Sequence, residues 1–407
     1  MREQALLSGL AAGIAFLYQP PTAAPFWGIV FLAFIFDREV RRRWKPLLVT
    51  FCIACLLLAN LAQLQPEVVD SQNFFGRLSE RLIELQHFRT RYSWVSLWAP
   101  KDIWSYLGIW ICGLWAAARI APLVRRELHW FVIGLPLFGI LSVPLSYLLL
   151  EKWAFAIIPQ FQPARALLYT VVISSILCAI AGARAGMNKK LLEAGAWYLV
   201  VIAIPLNVRI FDLFRLSDRI ALQAFGVWVG LAALAAVLTH VARRSWMRPA
   251  ALAVPVLAVF ALPGPAHVET FPKIDKAPVT ELARWAANNT WGSAMFLFPD
   301  AGHALYPGIF RALSERALYV DWKSGGQVNY FESLADEWYS RFEQTVDGKF
   351  TAARLENMLS LPIDYYVLER RHALVGVKPV FENEQFIVYD AQDLRNSSTS
   401  LRLGTDD

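Results

Sequence analysis

The sequence predicts a polytopic bundle of membrane helices followed by a small water-soluble α/β domain. Three observations lead there. Of 407 residues, 56% are hydrophobic and 18% charged, with a mean hydropathy of +0.39, which is more apolar than an ordinary soluble protein. The apolar residues fall into blocks within residues 1–263, whereas residues 264–407 are mixed and hold most of the acidic side chains. Between the blocks, basic clusters recur in every second loop, as cytoplasmic loops do. The net charge of +6 therefore reports loops beside a lipid bilayer, and no basic soluble face points to nucleic acid.

The first block, Ala5 to Phe36, is interrupted by Gln19, Pro20 and Pro21. Each half has about 15 residues, short of the ~20 that cross the hydrocarbon, and a double proline ends or kinks a helix. Two arrangements are open, a hairpin of two short helices or one kinked span. Seven more spans are predicted near 46–64, 104–122, 130–150, 166–185, 193–208, 220–241 and 249–263. The basic clusters are Arg38, Arg41, Arg42, Arg43 and Lys45; Arg125 and Arg126; Arg184, Lys189 and Lys190; and Arg243, Arg244 and Arg248. Loops 65–103, 151–165 and 209–219, and everything after 263, are then extracytoplasmic. Trp94, Trp98, Trp104, Trp130 and Trp153 mark the interfaces. Cys52, Cys55, Cys112 and Cys178 all lie in apolar blocks and read as small buried hydrophobes. The run "CIAC" has redox spacing but lacks a strand-to-helix setting.

The transmembrane part is taken as 1–263, a proline-rich linker as 264–278, the α/β domain as 279–391 and a disordered tail as 392–407. "VTELARWAANNT" reads as a helix with Thr280 as its cap, and "AMFLFP" as a short buried strand. "ALYPGIFRALSER" reads as loop and helix, and "ALYVD" as a strand ending at Asp321. In "NYFESLADEWYSRFEQT", Phe331, Leu334, Trp338 and Phe342 recur at helical spacing. "TAARLENMLS" is a further helix, "IDYYVLER" a strand, and "PVFENEQFIVYD" a hairpin turning at Asn383 and Glu384. Alternating strands and helices predict a Rossmann-like, three-layer domain with a mainly parallel sheet.

Few residues carry a chemical signature. His87, His129, His240, His267, His303 and His372 are scattered without metal-ligand spacing, and no cofactor motif is present. "SGG" at 324–326 lacks the rest of a phosphate loop. In the loop 65–103, Arg89 and Arg91 flank aromatic residues and could hold an anionic headgroup or a pyrophosphate, because a guanidinium pairs phosphate oxygens bidentately. The alternative is an interfacial helix whose arginines touch bulk headgroups. Glu67 and Asp70 are the nearest acidic residues. In "QFQPARALLY", Gln160, Gln162 and Arg165 open a span, so Arg165 is either a ligand contact or a snorkelling anchor. In "RALYVDWKSGG", Arg316, Asp321, Trp322 and Lys323 surround a strand end, where α/β sheets bind ligands, or Asp321 makes a structural contact with backbone or with an arginine, Arg341 being one candidate.

Two resemblances follow from these stretches. "LARWAANNTWGSAMFLFP", "FRALSERALYVDWKSGG" and "EWYSRFEQ" resemble a domain of unknown function at the end of large bacterial polytopic membrane proteins. The matching positions are Asn289, Thr290, Phe310, Arg311, Ser314, Arg316, Asp321, Trp322, Lys323, Trp338 and Arg341. The segment "GLAAGIAFLYQPPTAAPF" and the pair Gln162 and Arg165 resemble the later spans of GT-C integral-membrane glycosyltransferases, with Gln19 where histidine or lysine is commoner. That resemblance implies a GT-C-like bundle in a bacterial cytoplasmic membrane with a periplasmic C-terminal domain. It implies handling of polyprenyl-phosphate-linked sugars, with Gln162, Arg165, Arg89 and Arg91 converging on one extracytoplasmic cavity around the lipid phosphate. A divalent metal enters only through this resemblance. GT-C enzymes place a catalytic carboxylate in a long loop after the first span, and no such motif lies near the start here. The expectation is therefore a chain that begins mid-enzyme, a partner region encoded elsewhere, or a non-catalytic protein, and no catalytic residue is assigned. The alternatives are a membrane-anchored binding or scaffold protein for envelope glycans and, last, a transporter.

Overall fold

The computed structural model describes residues 5–63, 76–203, 219–242 and 277–397, together with Ala253, Leu257 and Arg402. The chain divides into two compact units, residues 1–78 with 91–268, and residues 79–90 with 269–407.

The first unit is built of helices. Its opening block is two of them, Ala5–Tyr18 and Pro20–Phe36, broken at Gln19 (φ −149°, ψ 82°). Pro20 and Pro21 cannot continue the first helix, but their fixed φ and missing amide hydrogens suit the first turn of the second. Phe16 and Trp27, one from each helix, both meet the ring of Phe51 (centroids 5.3 and 4.8 Å), tying the block to the helix Lys45–Gln63. Among the described residues, three helical stretches are long and apolar enough to cross a membrane: Pro100–Leu123, Arg126–Lys152 and Ile158–Met187. They coincide with the spans expected near 104–122, 130–150 and 166–185. Leu7–Tyr18, Pro20–Phe36, Leu47–Asn60, Leu191–Ala203 and Phe225–Val241 are shorter apolar helices. The span expected at 249–263, apart from Ala253 and Leu257, and the end of that at 193–208 lie outside the described residues.

The helix Leu167–Met187 is inside-out relative to a soluble helix. Leu168, Val172, Ile176 and Ile180 form an exposed stripe at four-residue spacing, whereas Thr170, Ser174, Ala181 and Ala185 are buried. Lipid solvates leucine as well as a protein core does, so interhelical attraction comes from small residues that let backbones approach. A Cβ on Gly113 would sit 2.1 Å from Ser174 Oγ, and one on Gly186 would sit 2.8 Å from Thr239 Oγ1. Of the four thiols, Cys178 is buried and Cys52 is exposed, so the expectation that all are buried fails at Cys52.

The second unit holds a five-stranded sheet in the order β2-β1-β3-β5-β4. The strands are β1 Met295–Leu297, β2 Ala317–Leu318, β3 Tyr365–Glu369, β4 Phe381–Glu382 and β5 Phe386–Asp390. β1 pairs with β2 and β3 in parallel, while β5 pairs with β3 and β4 antiparallel. The sheet is therefore mixed, not mainly parallel. The hairpin through Asn383, whose Oδ1 accepts from the amides of Gln385 and Phe386, returns the chain alongside β3 without a helical crossover. The first helix runs Ala277–Asn289, so Thr280 lies inside it and is not its cap. In the helix Glu332–Thr345, Trp338 and Phe342 are buried as expected, but Leu334 is exposed. The helix Ala391–Asn396 occupies the start of the expected disordered tail. Asp390 caps it, and Arg395 ties it down by donating to the carbonyls of Leu359, Leu361 and Ile363.

The helix Glu80–Arg89, expected at the membrane surface, is part of this second unit. Ser79 caps it, accepting from the Leu82 amide at 3.0 Å and donating to Glu332 Oε2 at 2.5 Å. Arg81 pairs with Asp336 at 2.7 Å, and the fully buried Gln86 donates to the Val328 carbonyl at 2.9 Å. Phe88 meets the rings of Trp322 and Tyr339, each at 5.4 Å. Residues 269–397 produced alone should therefore bind an apolar dye and melt without a sharp transition. Adding residues 79–90 through a flexible linker should restore cooperative melting monitored by near-ultraviolet circular dichroism. Phe88→Ala in the full chain should cost somewhat less than the ~3–5 kcal/mol of a fully buried phenylalanine.

Candidate functional site

Pro163 shapes the most site-like feature of the first unit. The short helix Ile158–Phe161 ends at Gln162 because Pro163 offers no amide hydrogen and disfavours a helical residue before it. Gln162 takes the left-handed conformation (φ 43°, ψ 68°), a strain of roughly 1 kcal/mol or more for a non-glycine residue. Its amide donates to the Ile158 carbonyl and its own carbonyl accepts from the Arg165 amide, both at 2.8 Å. The side-chain oxygen of Gln162 is buried and has no protein partner.

This turn borders a cavity of about 350 Å³. Gln162 and Arg165 line it together with Tyr92, Trp98, Asp102 and Tyr106, and the hydroxyl-bearing Ser93 and Ser146 complete the polar wall. Arg165 is exposed, whereas Ser93 is buried and its hydroxyl lacks a protein partner. Trp98 Nε1 donates to the Tyr92 carbonyl at 2.9 Å, fixing the two aromatic walls against each other. Asp102 sits in the first turn of the helix Pro100–Ile120, where the helix dipole favours an anion. Asp102 and Tyr106 lie one helical turn apart and so share a face. The signal for them in the sequence is an acidic residue just before the span expected near 104–122. Glu67 and Asp70 lie outside the described residues.

The donor set does not fit a divalent ion. Asp102 is the one carboxylate residue among the described lining residues, and among the described residues no three His, Cys, Asp or Glu side chains converge.

Gly139 holds the turn in place. A Cβ on it would come within 2.7 Å of the Ala166 carbonyl oxygen and 2.2 Å of Thr170 Oγ1. Thr170 in turn donates to the Pro136 carbonyl at 2.9 Å, and Tyr169 donates to the Thr22 carbonyl at 2.8 Å.

Neither of the arginines expected beside Arg165 is among the residues lining this cavity. Arg91 is exposed in the first unit, next in sequence to the cavity residues Tyr92 and Ser93. Arg89 belongs to the second unit, where its Nε donates to the Trp322 carbonyl at 2.8 Å and its guanidinium lies 4.5 Å from the Trp322 ring.

In the second unit, Arg316 clamps the end of the first helix. It donates to the carbonyls of Ala287 (2.7 Å) and Thr290 (2.9 Å) and to Thr290 Oγ1 (3.1 Å). Asp321 is buried. Its Oδ1 accepts from the Ser324 amide at 2.6 Å and faces Arg311 at 3.8 Å, while Oδ2 has no protein partner. Trp338 Nε1 donates to the Asp321 carbonyl at 2.9 Å. Arg341 pairs with Glu337 and lies over the ring of Tyr319, so it is not the partner of Asp321. Lys323 is exposed.

Residues 277–345 match the family described as Domain of unknown function (DUF6798). The DUF6798 region thus runs from the first helix of the second unit through the helix Glu332–Thr345. β3, β4 and β5 lie beyond it. No curated protein and no solved structure matches the chain. Within the DUF6798 region, Arg316 and Trp338 are held by backbone carbonyls, which is a structural use of both side chains.

Gly139→Ala should cost about 1–3 kcal/mol, because the clash is with backbone that cannot step aside. The check is a lowered thermal midpoint in detergent. Gly28→Ala, where an added Cβ meets nothing within 4 Å, serves as the neutral comparison.

Proposed function

We propose that the protein is an integral-membrane handler of polyprenyl-phosphate-linked sugars, resembling GT-C glycosyltransferases, with the lipid headgroup in the Gln162–Arg165 cavity. One observation carries this reading. Gln162 and Arg165 share a cavity with one carboxylate and several aromatic and hydroxyl side chains. Arg165 suits a phosphate because its planar fork offers parallel donors. Tyr92, Trp98 and Tyr106 offer ring faces to a sugar, and the unpartnered Gln162 oxygen offers an acceptor to a sugar hydroxyl. Asp102 is the group able to take the proton of an acceptor hydroxyl while Arg165 stabilises the departing phosphate. The alternating basic loops support a cavity on the extracytoplasmic side of a bacterial cytoplasmic membrane.

Protein purified in native lipid particles should retain polyprenyl phosphate or its glycosylated form, identified by mass spectrometry. Arg165→Ala should weaken retention roughly ten- to hundredfold, the loss of about 1.5–3 kcal/mol of charge-assisted hydrogen bonding. Asp102→Asn should keep the lipid and abolish sugar transfer. Transfer absent in the wild type with lipid retained would leave a headgroup-binding protein, and equal lipid in wild type and Arg165→Ala would sink the proposal.

A further inference from the structure

We propose that the second unit carries a separate binding site for a hydroxyl-rich ligand of the carbohydrate class, built from Asp300, Glu369 and His372 at the carboxyl ends of β1 and β3. These strands are parallel neighbours, yet the chain leaves β1 for β2 on one side and reaches β3 on the other. Open α/β sheets hold ligands at such a divergence. Asp300 follows β1, and its side chain is only 1% exposed. Its Oδ2 accepts from the Glu369 amide at 2.7 Å and meets His372 Nδ1 at 2.8 Å. An ionised carboxylate only accepts, so it holds a proton on Nδ1, and in the neutral imidazole Nε2 is then an acceptor. The His372 side chain is 25% exposed, so this nitrogen belongs to a group that solvent and ligands reach.

The second observation concerns the other oxygen of the same carboxylate. Asp300 Oδ1 is buried without a protein partner, a costly state that a donor from outside would relieve. Beside it, Glu369 accepts from the Tyr306 hydroxyl at 3.2 Å and from Arg371 at 2.7 Å. Burial, with the Asp300 and Glu369 carboxylates nearby, pushes the Tyr306 phenol far up, so it stays a donor. The unused capacity of the cluster is acceptor at imidazole Nε2, Asp300 Oδ1 and the lone pairs of Glu369, with donors left on the exposed Arg371 guanidinium. Acceptors beside a guanidinium suit a ligand that offers both donors and acceptors. No three ligating side chains among the described residues converge for a metal ion, so the spacing suits a larger ligand that brings several donors. A polyol does this.

The test uses the full chain in detergent, with diethyl pyrocarbonate modification of His372 followed by peptide mass spectrometry and His129 as the internal reference. Methyl glucoside, methyl galactoside and N-acetylglucosamine are the probes. At least one should slow modification of His372 several-fold and saturably without slowing His129. Asp300→Asn should abolish that protection. Glu369→Gln, which leaves the Asp300–His372 contact intact, should weaken it without lowering the thermal midpoint. Unaltered modification with every probe overturns the site. So does protection by zinc ion alone, or protection that persists in both variants.

Discussion

Where Gly139 meets the Ala166 carbonyl, two helices of the first unit touch backbone to backbone, and the architecture of the cavity hangs from that contact. The turn carrying Gln162 and Arg165 ends one residue before Leu167, so its placement is set by how closely the helix His129–Ser146 approaches. A side chain at Gly139 would push the turn outward. The hydroxyl of Thr170 and the ring of Tyr169 then lock the approach through carbonyls of Pro136 and Thr22. In a bilayer such contacts replace the hydrophobic force that would hold helices together in water.

Much of this was legible in the sequence, and the parts that were not have a common cause. The break at Gln19, the three long spans and the strand–helix order of the second unit are local patterns, read from proline chemistry and periodicity. Gln162 and Arg165 were also legible, being polar groups where a span begins. What escaped were pairings across long sequence separations. Arg89 and Trp322 are 233 positions apart, and nothing in "LQHFRTRYSWVSLW" distinguishes a helix that docks on a distant domain from one that lies on lipid. Asp102 escaped because its meaning comes from Arg165 across the cavity. The antiparallel half of the sheet escaped because alternation of elements does not say on which side a strand returns.

Both units leave polar atoms buried without protein partners, and some of these lie close together. Gln162 and Ser93 border the same cavity, while Asp300 and Asp321 follow the adjacent strands β1 and β2. A structural polar residue such as Arg316 shows the contrast. Arg316 spends its donors on nearby carbonyls. A buried carboxylate oxygen left open is destabilising unless something outside the chain meets it.

The helix Glu80–Arg89 has a consequence for biosynthesis. Ser79 bonds Glu332, 253 positions later, so the helix emerges from the ribosome long before its partner does. At about 5–20 residues per second the wait is on the order of 10–50 seconds. During it the apolar side of the helix, with Leu82, Leu85 and Phe88, has no domain to cover it. The second unit can therefore close only after Glu332 and the helix it begins have been made, and the segment between two early helices must be kept from other partners until then.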